Sequence, residues 1–310
     1  MFTIALVAAL TFWILLPRFA TFGNAMAMLR SVSVLGILAL GMAIVMIGRG
    51  IDLSQIATAL IAAGVAGKLV LAGIGAPAAM ATGLGAALIL GCINGAIIAY
   101  LEIPALFATL ATSLLFVGLA RSWLLGSMMI HLPAEHEGLM FLGQNWYGVP
   151  VPLVAFLLCA VVVHLFLNFT VLGRFIYAHG DNPAAARLSG IAVRRLTLLE
   201  YAMCAAIAYI GGLVTVASTA IIDLNAVNSS LIFEVIMVAV LGGVSLVGGR
   251  GSVLNVLAGT ALIGVLLNGM AIMDLDYHLQ SIIKGAVLLS AIILDRFLHP
   301  RDEETARQGD

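Results

Sequence analysis

Several short stretches hold residue types that can do chemistry, and each lacks a partner that the chemistry needs. AAGVAGKL (62–69) resembles a phosphate loop, but Ala62 stands where G-x-x-x-x-G-K-[ST] begins, and Leu69 replaces the hydroxyl that holds Mg²⁺. HEGLM (136–140) begins like a zinc-protease H-E-x-x-H, with Met140 in place of the second ligand. GVSLV (243–247) fails G-x-S-x-G at its last position. His131/Glu135/His136 and Asp274/Asp276/His278 have metal-ligand types, but a solvated external loop is the better explanation of them. No Ser/His/Asp or paired-carboxylate set stands within the apolar runs. No catalytic residue, metal or cofactor is expected, and a membrane enzyme is the remotest reading.

The remaining polar side chains lie inside apolar runs. Asn94 sits in Gly91-Cys-Ile-Asn-Gly95, a small-xxx-small face that lets helix backbones approach. Thr109, Thr112 and Ser113 share one face of a helix. Glu234 opens an apolar run, Asn268 lies near the end of one, and Lys284 stands about two turns into the last. These seven residues are candidates for lining a solute route. Interhelical hydrogen bonding is the alternative for the Thr and Ser residues. For Lys284 the alternatives are a functional intramembrane cation and a side chain snorkelling to the interface.

The elements that must position them follow from composition. Of 310 residues, 63% are hydrophobic and 9% charged, against about 25% charged in a soluble domain. The excess apolar surface must face lipid. Ten spans of about 20 residues fit the apolar content. The runs are continuous rather than alternating, which excludes a β-barrel. The fold expected is all-α: a polytopic transmembrane bundle with spans near 1–17, 31–48, 55–73, 77–100, 103–124, 150–172, 197–220, 231–247, 252–273 and 279–297. The first lacks the basic flank of a signal peptide. A net charge of -1 argues against nucleic acid. Cys92, Cys159 and Cys204 are scattered and read as small buried hydrophobes.

Nine of the 14 Lys and Arg residues fall on one side of this topology. By the positive-inside rule that side is the cytoplasm and holds both termini. It carries the segment 173–196, in which Asn182 caps a short helix at Ala184–Ile191 with Pro183 at its first position. It also carries the tail 299–310, set apart from a single transmembrane domain 1–298. Segment 127–149, with the 221–230 loop, faces outward and suits a polar protein interface. A weak internal repeat relates 46–64 to 246–264, matching Arg49 with Arg250. A tight turn with a positive charge explains each G-R-G equally well. Arg49, Asp52 and Arg250 are then residues of two cytoplasmic hairpins.

GRGIDLS (48–54), NGAIIAYLEIPALFATLAT (94–112), GDNPAAARLSGI (180–191), VLGGVSLVGGRGS (240–252) and IIKGAVLLSAIILD (282–295) occur in this order. Together they resemble the permease subunits of ribose-, xylose- and galactose-type bacterial ABC importers. The resemblance covers nearly the whole chain. It implies a sugar or sugar-like substrate crossing the inner membrane. It also implies two separate ABC ATPase subunits, a periplasmic solute-binding protein, and a second permease, identical or paralogous, in the lipid bilayer. The loop that docks the ATPase corresponds to 173–196, with Gly180, Asn182, Ala185, Ala186, Arg187, Ser189, Gly190, Arg194 and Arg195. Pro183 and Ala184 stand where the family often has Glu, and Arg49, Gln55 and Ile56 also depart from its pattern. The alternative, a self-sufficient secondary carrier, needs an ionisable relay within its spans, and Lys284 with Glu200 makes a poor one.

Overall fold

In a computed structural model, residues 2–132 and 137–298 are described. Pro133, Ala134, Glu135 and His136, which complete the His131/Glu135/His136 cluster and open HEGLM, lie outside the described residues, as does the tail 299–310. Every expected span coincides with a helix. These are α1 (Phe2–Leu15), α2 (Phe22–Ile47), α3 (Gln55–Leu71), α4 (Ala76–Leu101), α5 (Ala105–Leu119, continued by a π-helical turn Ala120–Leu125), α7 (Val151–Phe169), α10 (Val193–Thr219), α11 (Leu231–Gly242), α12 (Val253–Ile272) and α13 (Tyr277–Leu298). Six of them are long and apolar enough to cross a membrane: α2, α4, α5 with its π turn, α7, α10 and α12. Short helices α6 (Glu137–Met140), α8 (Val171–Asp181) and α9 (Pro183–Leu188) lie between spans.

Helix ends follow side-chain chemistry. Thr21, Thr170, Asn182 and Ser252 cap α2, α8, α9 and α12, each accepting from a backbone N–H three residues on. Pro77 and Pro152 sit in the first turns of α4 and α7, where a missing N–H costs nothing. The α2 helix starts nine residues before the expected span, because Asn24 and Arg30 find partners far along the chain. The α11 helix ends at Gly242, short of the expected 247, because Gly243 turns the chain at φ +105°.

The core forms around α2 and α10. From Leu35 to Ile47 α2 is buried all round, as an apolar-faced-everywhere helix must be. Against α10 lies α4, through Gly83, Ala87, Gly91 and Gly95. A Cβ on Gly91 would stand 2.6 Å from the Tyr201 carbonyl oxygen, and one on Gly95 2.7 Å from the Leu198 Cα. Without a hydrophobic effect between helices in lipid, this backbone approach is what holds the pair together. The opposite faces of α4, α5 and α7 expose Ile89, Leu114 and Leu158, suited to lipid.

The two G-R-G motifs stand at different places in their connections. The α2 helix closes with Arg49 N–H donating to Met46 O and Gly50 N–H to Val45 O. The α11 helix closes with Gly243 N–H donating to Val240 O and Val244 N–H to Ala239 O. Arg49 (φ +70°) and Gly243 (φ +105°) each take the left-handed position of a helix-ending turn that also closes α3, α9 and α12, so this turn marks helix ends and not a repeat. Arg250 lies in the connection to α12, two residues before its cap.

Candidate functional site

The α2–α3 connection does not form a solvated hairpin. Asp52 is 1% exposed. Its Oδ1 accepts from the Ser54 backbone N–H (2.9 Å) and hydroxyl (2.6 Å). The Asn94 amide of α4 donates to Ser54 Oγ at 2.6 Å. Thr109 of α5 accepts from Leu53 N–H at 3.0 Å, and the Thr112 hydroxyl donates to Thr109 O at 3.2 Å. Asn94, Thr109, Thr112 and Ser113 are all buried, and Asn94 and Thr109 bond this connection directly. Asp52 thus joins the candidate route residues rather than Arg49 and Arg250, which are exposed. Burial raises its carboxyl to about 6, and the Ser54 hydrogen bonds oppose that rise.

Glu234 and Lys284 form a second site, between α11 and α13. Lys284 Nζ lies 2.8 Å from Glu234 Oε1 and 2.9 Å from Ser230 Oγ, with side-chain exposures of 11% and 14% for the two ions. Lys284 does not snorkel; it turns inward to a carboxylate. Asn268 forms a third site: it exchanges two hydrogen bonds, 2.8 and 2.9 Å, with Asn24, tying α12 to α2. The seven expected route residues therefore fall on three different sets of helices within one chain. Asn268 acts as interhelical glue.

At the end of the bundle that carries 173–196, three turns converge. Gly180 of α8 packs on the Ile47 carbonyl and the Gly249 N–H, so tightly that no Cβ fits. Gly249 N–H donates to that same Ile47 carbonyl at 2.8 Å, and Tyr177 Oη donates to Gly251 O at 2.8 Å. The Arg49 side chain crosses Gly248. So α8 touches both the α2–α3 and the α11–α12 turns. The next helix, α9, spans Pro183–Leu188 rather than 184–191, because Gly190 (φ +83°) closes it early. Ala186 faces inward and is 3% exposed, so it cannot seat a partner. The outward face carries Ala185, Arg187 and Leu188, the last 90% exposed, followed by Ser189 and Gly190. Arg194 is held by Glu102 at 3.1 Å and stacks over Tyr100, which leaves Arg187 and Arg195 as exposed cations.

On the other side of the bundle, Met129–His131 pairs antiparallel with Ile221–Asp223, so the 127–149 and 221–230 segments share one surface. A second antiparallel pair joins Asn145–Trp146 to Val149–Pro150 at the end of the 127–149 segment. Arg30 of α2 anchors this layer, donating to Gly143 O and, at 2.7 Å, to Asn145 Oδ1.

Sequence reasoning passed over Ser230, Thr58 and His179. Ser230 precedes Glu234 by one helical turn, a spacing that signals a shared face. His179 precedes Gly180; its Nδ1 is buried without a partner. Burial and then the charges of Arg187 and Arg49 lower it to about 4.

Residues 24–292 match the family model described as "Branched-chain amino acid transport system / permease component". The chain is 32% identical over 285 residues to the ribose import permease protein RbsC of Escherichia coli K12, covering 90% of this chain and 87% of that one. It is 33% identical over 286 residues to the L-arabinose transport system permease protein AraH of the same strain, covering 92% and 86%. Against RbsC of Bacillus subtilis strain 168 it is 32% identical over 283 residues, covering 91% and 88%. No solved structure gives a significant match.

Proposed function

The chain belongs to the family of branched-chain amino acid transport system permease components, and from that premise we propose how it works as the permease subunit of an ABC importer. It carries a sugar or sugar-like solute across the bacterial inner membrane as one transmembrane domain, 1–298. It has no nucleotide site of its own, so hydrolysis belongs to two separate ATPase subunits below it. A periplasmic solute-binding protein delivers from above, and a second permease, identical or paralogous, completes the route. Asn94, Thr109, Thr112, Ser113, Glu234 and Lys284 shape the helix faces that move past the solute. The relatives' names support a pentose-type sugar.

The observation that carries this reading is the contact of Gly180 with Ile47 and Gly249. A polar solute cannot cross hydrocarbon unaided, so two bundle halves must rock around it. An ATPase that displaces α9 would move α8 as a short rigid rod. Through Gly180 and Tyr177, α8 would push the α2–α3 and α11–α12 turns together. Leu188, exposed between Arg187 and Ser189, offers an apolar knob with a cation beside it. Anionic lipid is the other partner such arginines could find.

Affinity purification of the tagged permease from its own cells tests the docking. ATPase recovery is expected with the wild type, and a drop of at least tenfold with Leu188→Glu or Ala185→Trp at unchanged permease level. Equal recovery from both variants would remove α9 as the dock.

A further inference from the structure

The start of α3 contains a buried anion without a counter-charge. Asp52, Ser54, Thr58 and Asn94 are each at most 1% exposed. Among the described residues, the two ion pairs are Arg194–Glu102 and Lys284–Glu234, and neither involves Asp52. The nearby Tyr201 and Cys204 of α10 carry no positive charge, and Glu200 is a second acid. The N-terminus of α3 supplies only about half a unit charge. Two further buried oxygens lack any partner, one on the side chain that bonds Ser54 and one a turn farther along α3. Asn94 Oδ1 and Thr58 Oγ1 are both buried and unbonded. Asn94 cannot reverse its amide without losing the donation to Ser54 Oγ, so its oxygen is committed to accepting. Thr58 stands one turn beyond Ser54 on the same face of α3.

We propose that Asp52, Ser54, Thr58 and Asn94 bind a desolvated monovalent metal cation, sodium or potassium. A proton on Asp52 would cancel the charge and leave Asn94 Oδ1 and Thr58 Oγ1 unmet. A water would meet those oxygens and leave the charge. A small hard cation does both at once. One carboxylate with neutral oxygens carries too little charge for a divalent ion, and the absence of His and thiolate ligands in the set disfavours a transition metal. The ion would tie the α2–α3 connection to α4, and through Thr109 to α5. This site does not depend on the transport reading.

The test is thermal unfolding of the purified full chain in detergent, titrated with NaCl, KCl or choline chloride at constant ionic strength. Binding to the folded state predicts a saturable midpoint rise of about a few degrees in NaCl or KCl over choline. Asp52→Asn should abolish the metal-specific rise, and Thr58→Val, which keeps shape and charge, should raise the half-saturating concentration several-fold. Superimposable wild-type curves in all three salts would overturn the site. So would a metal-specific rise that survives both substitutions. If Asp52→Asn does not fold, the wild-type curves and Thr58→Val decide.

Discussion

Gly180 lies against the carbonyl oxygen of Ile47, with no room between them for a methyl group. One residue of a short helix outside the apolar runs thereby touches the end of the stretch Leu35–Ile47 of α2, which is buried throughout. The Gly249 N–H shares that carbonyl, so a displacement of α8 reaches both hairpin turns without an intermediate.

Gly180→Ala should therefore act out of proportion to its size. The added Cβ must displace backbone on both sides, and overpacking of this kind costs about 1–3 kcal/mol. A melt of the purified variant should fall by several degrees, with uptake falling further. Gly118→Ala, which meets nothing within 4 Å, is the control.

The Lys284–Glu234 pair makes a different prediction. Lys284→Met leaves a buried carboxylate and the Ser230 hydroxyl without their cation, which destabilises by about 3–5 kcal/mol. Adding Glu234→Gln should recover much of that loss. A double-mutant cycle on denaturation midpoints gives the coupling, and additive losses would mean the ions do not interact.

His179 sets an acid limb. Its folded value of about 4 lies below the ordinary 6.5, so the unfolded chain takes the proton more readily. Its contribution is whole above pH 6.5 and is lost as pH falls from 6.5 toward 4, by at most about 3 kcal/mol. Unfolding curves across that window should show the slope, and His179→Gln should flatten it.

Orientation is checked by labelling. Tyr147 is 92% exposed on the 127–149 side and Leu188 is 90% exposed on the 173–196 side. Tyr147→Cys in intact cells should react with an impermeant thiol reagent, and Leu188→Cys should react only after permeabilisation. Cys159 and Cys204 are buried and contribute little background. The reverse pattern would invert the topology.

Much of the bundle was legible because hydropathy and glycine spacing are local. The run 150–172 predicted Val151–Phe169 closely, and Gly91-x-x-x-Gly95 announced the α4–α10 contact. What was not legible depends on partners distant in sequence. Asn24 and Arg30 looked like loop residues because Asn268 and Asn145, which pair with them, lie 244 and 115 positions away. Asp52 read as a hairpin residue for the same reason: Asn94 and Thr109, which cover it, belong to other helices. Ala186 read as a seat because a small residue suits either a partner or the chain's own interior, and only the packing distinguishes them.

The central claim is that this permease moves solute only when a separate ATPase drives it. Proteoliposomes holding the permease alone, or with its ATPase and solute-binding protein, should be compared for uptake of labelled ribose and arabinose with ATP supplied to the ATPase face. Uptake is expected only in the full assembly with ATP, and it should vanish when Leu188→Glu replaces the wild type. Uptake by the permease alone, driven by an ion gradient, would contradict the account.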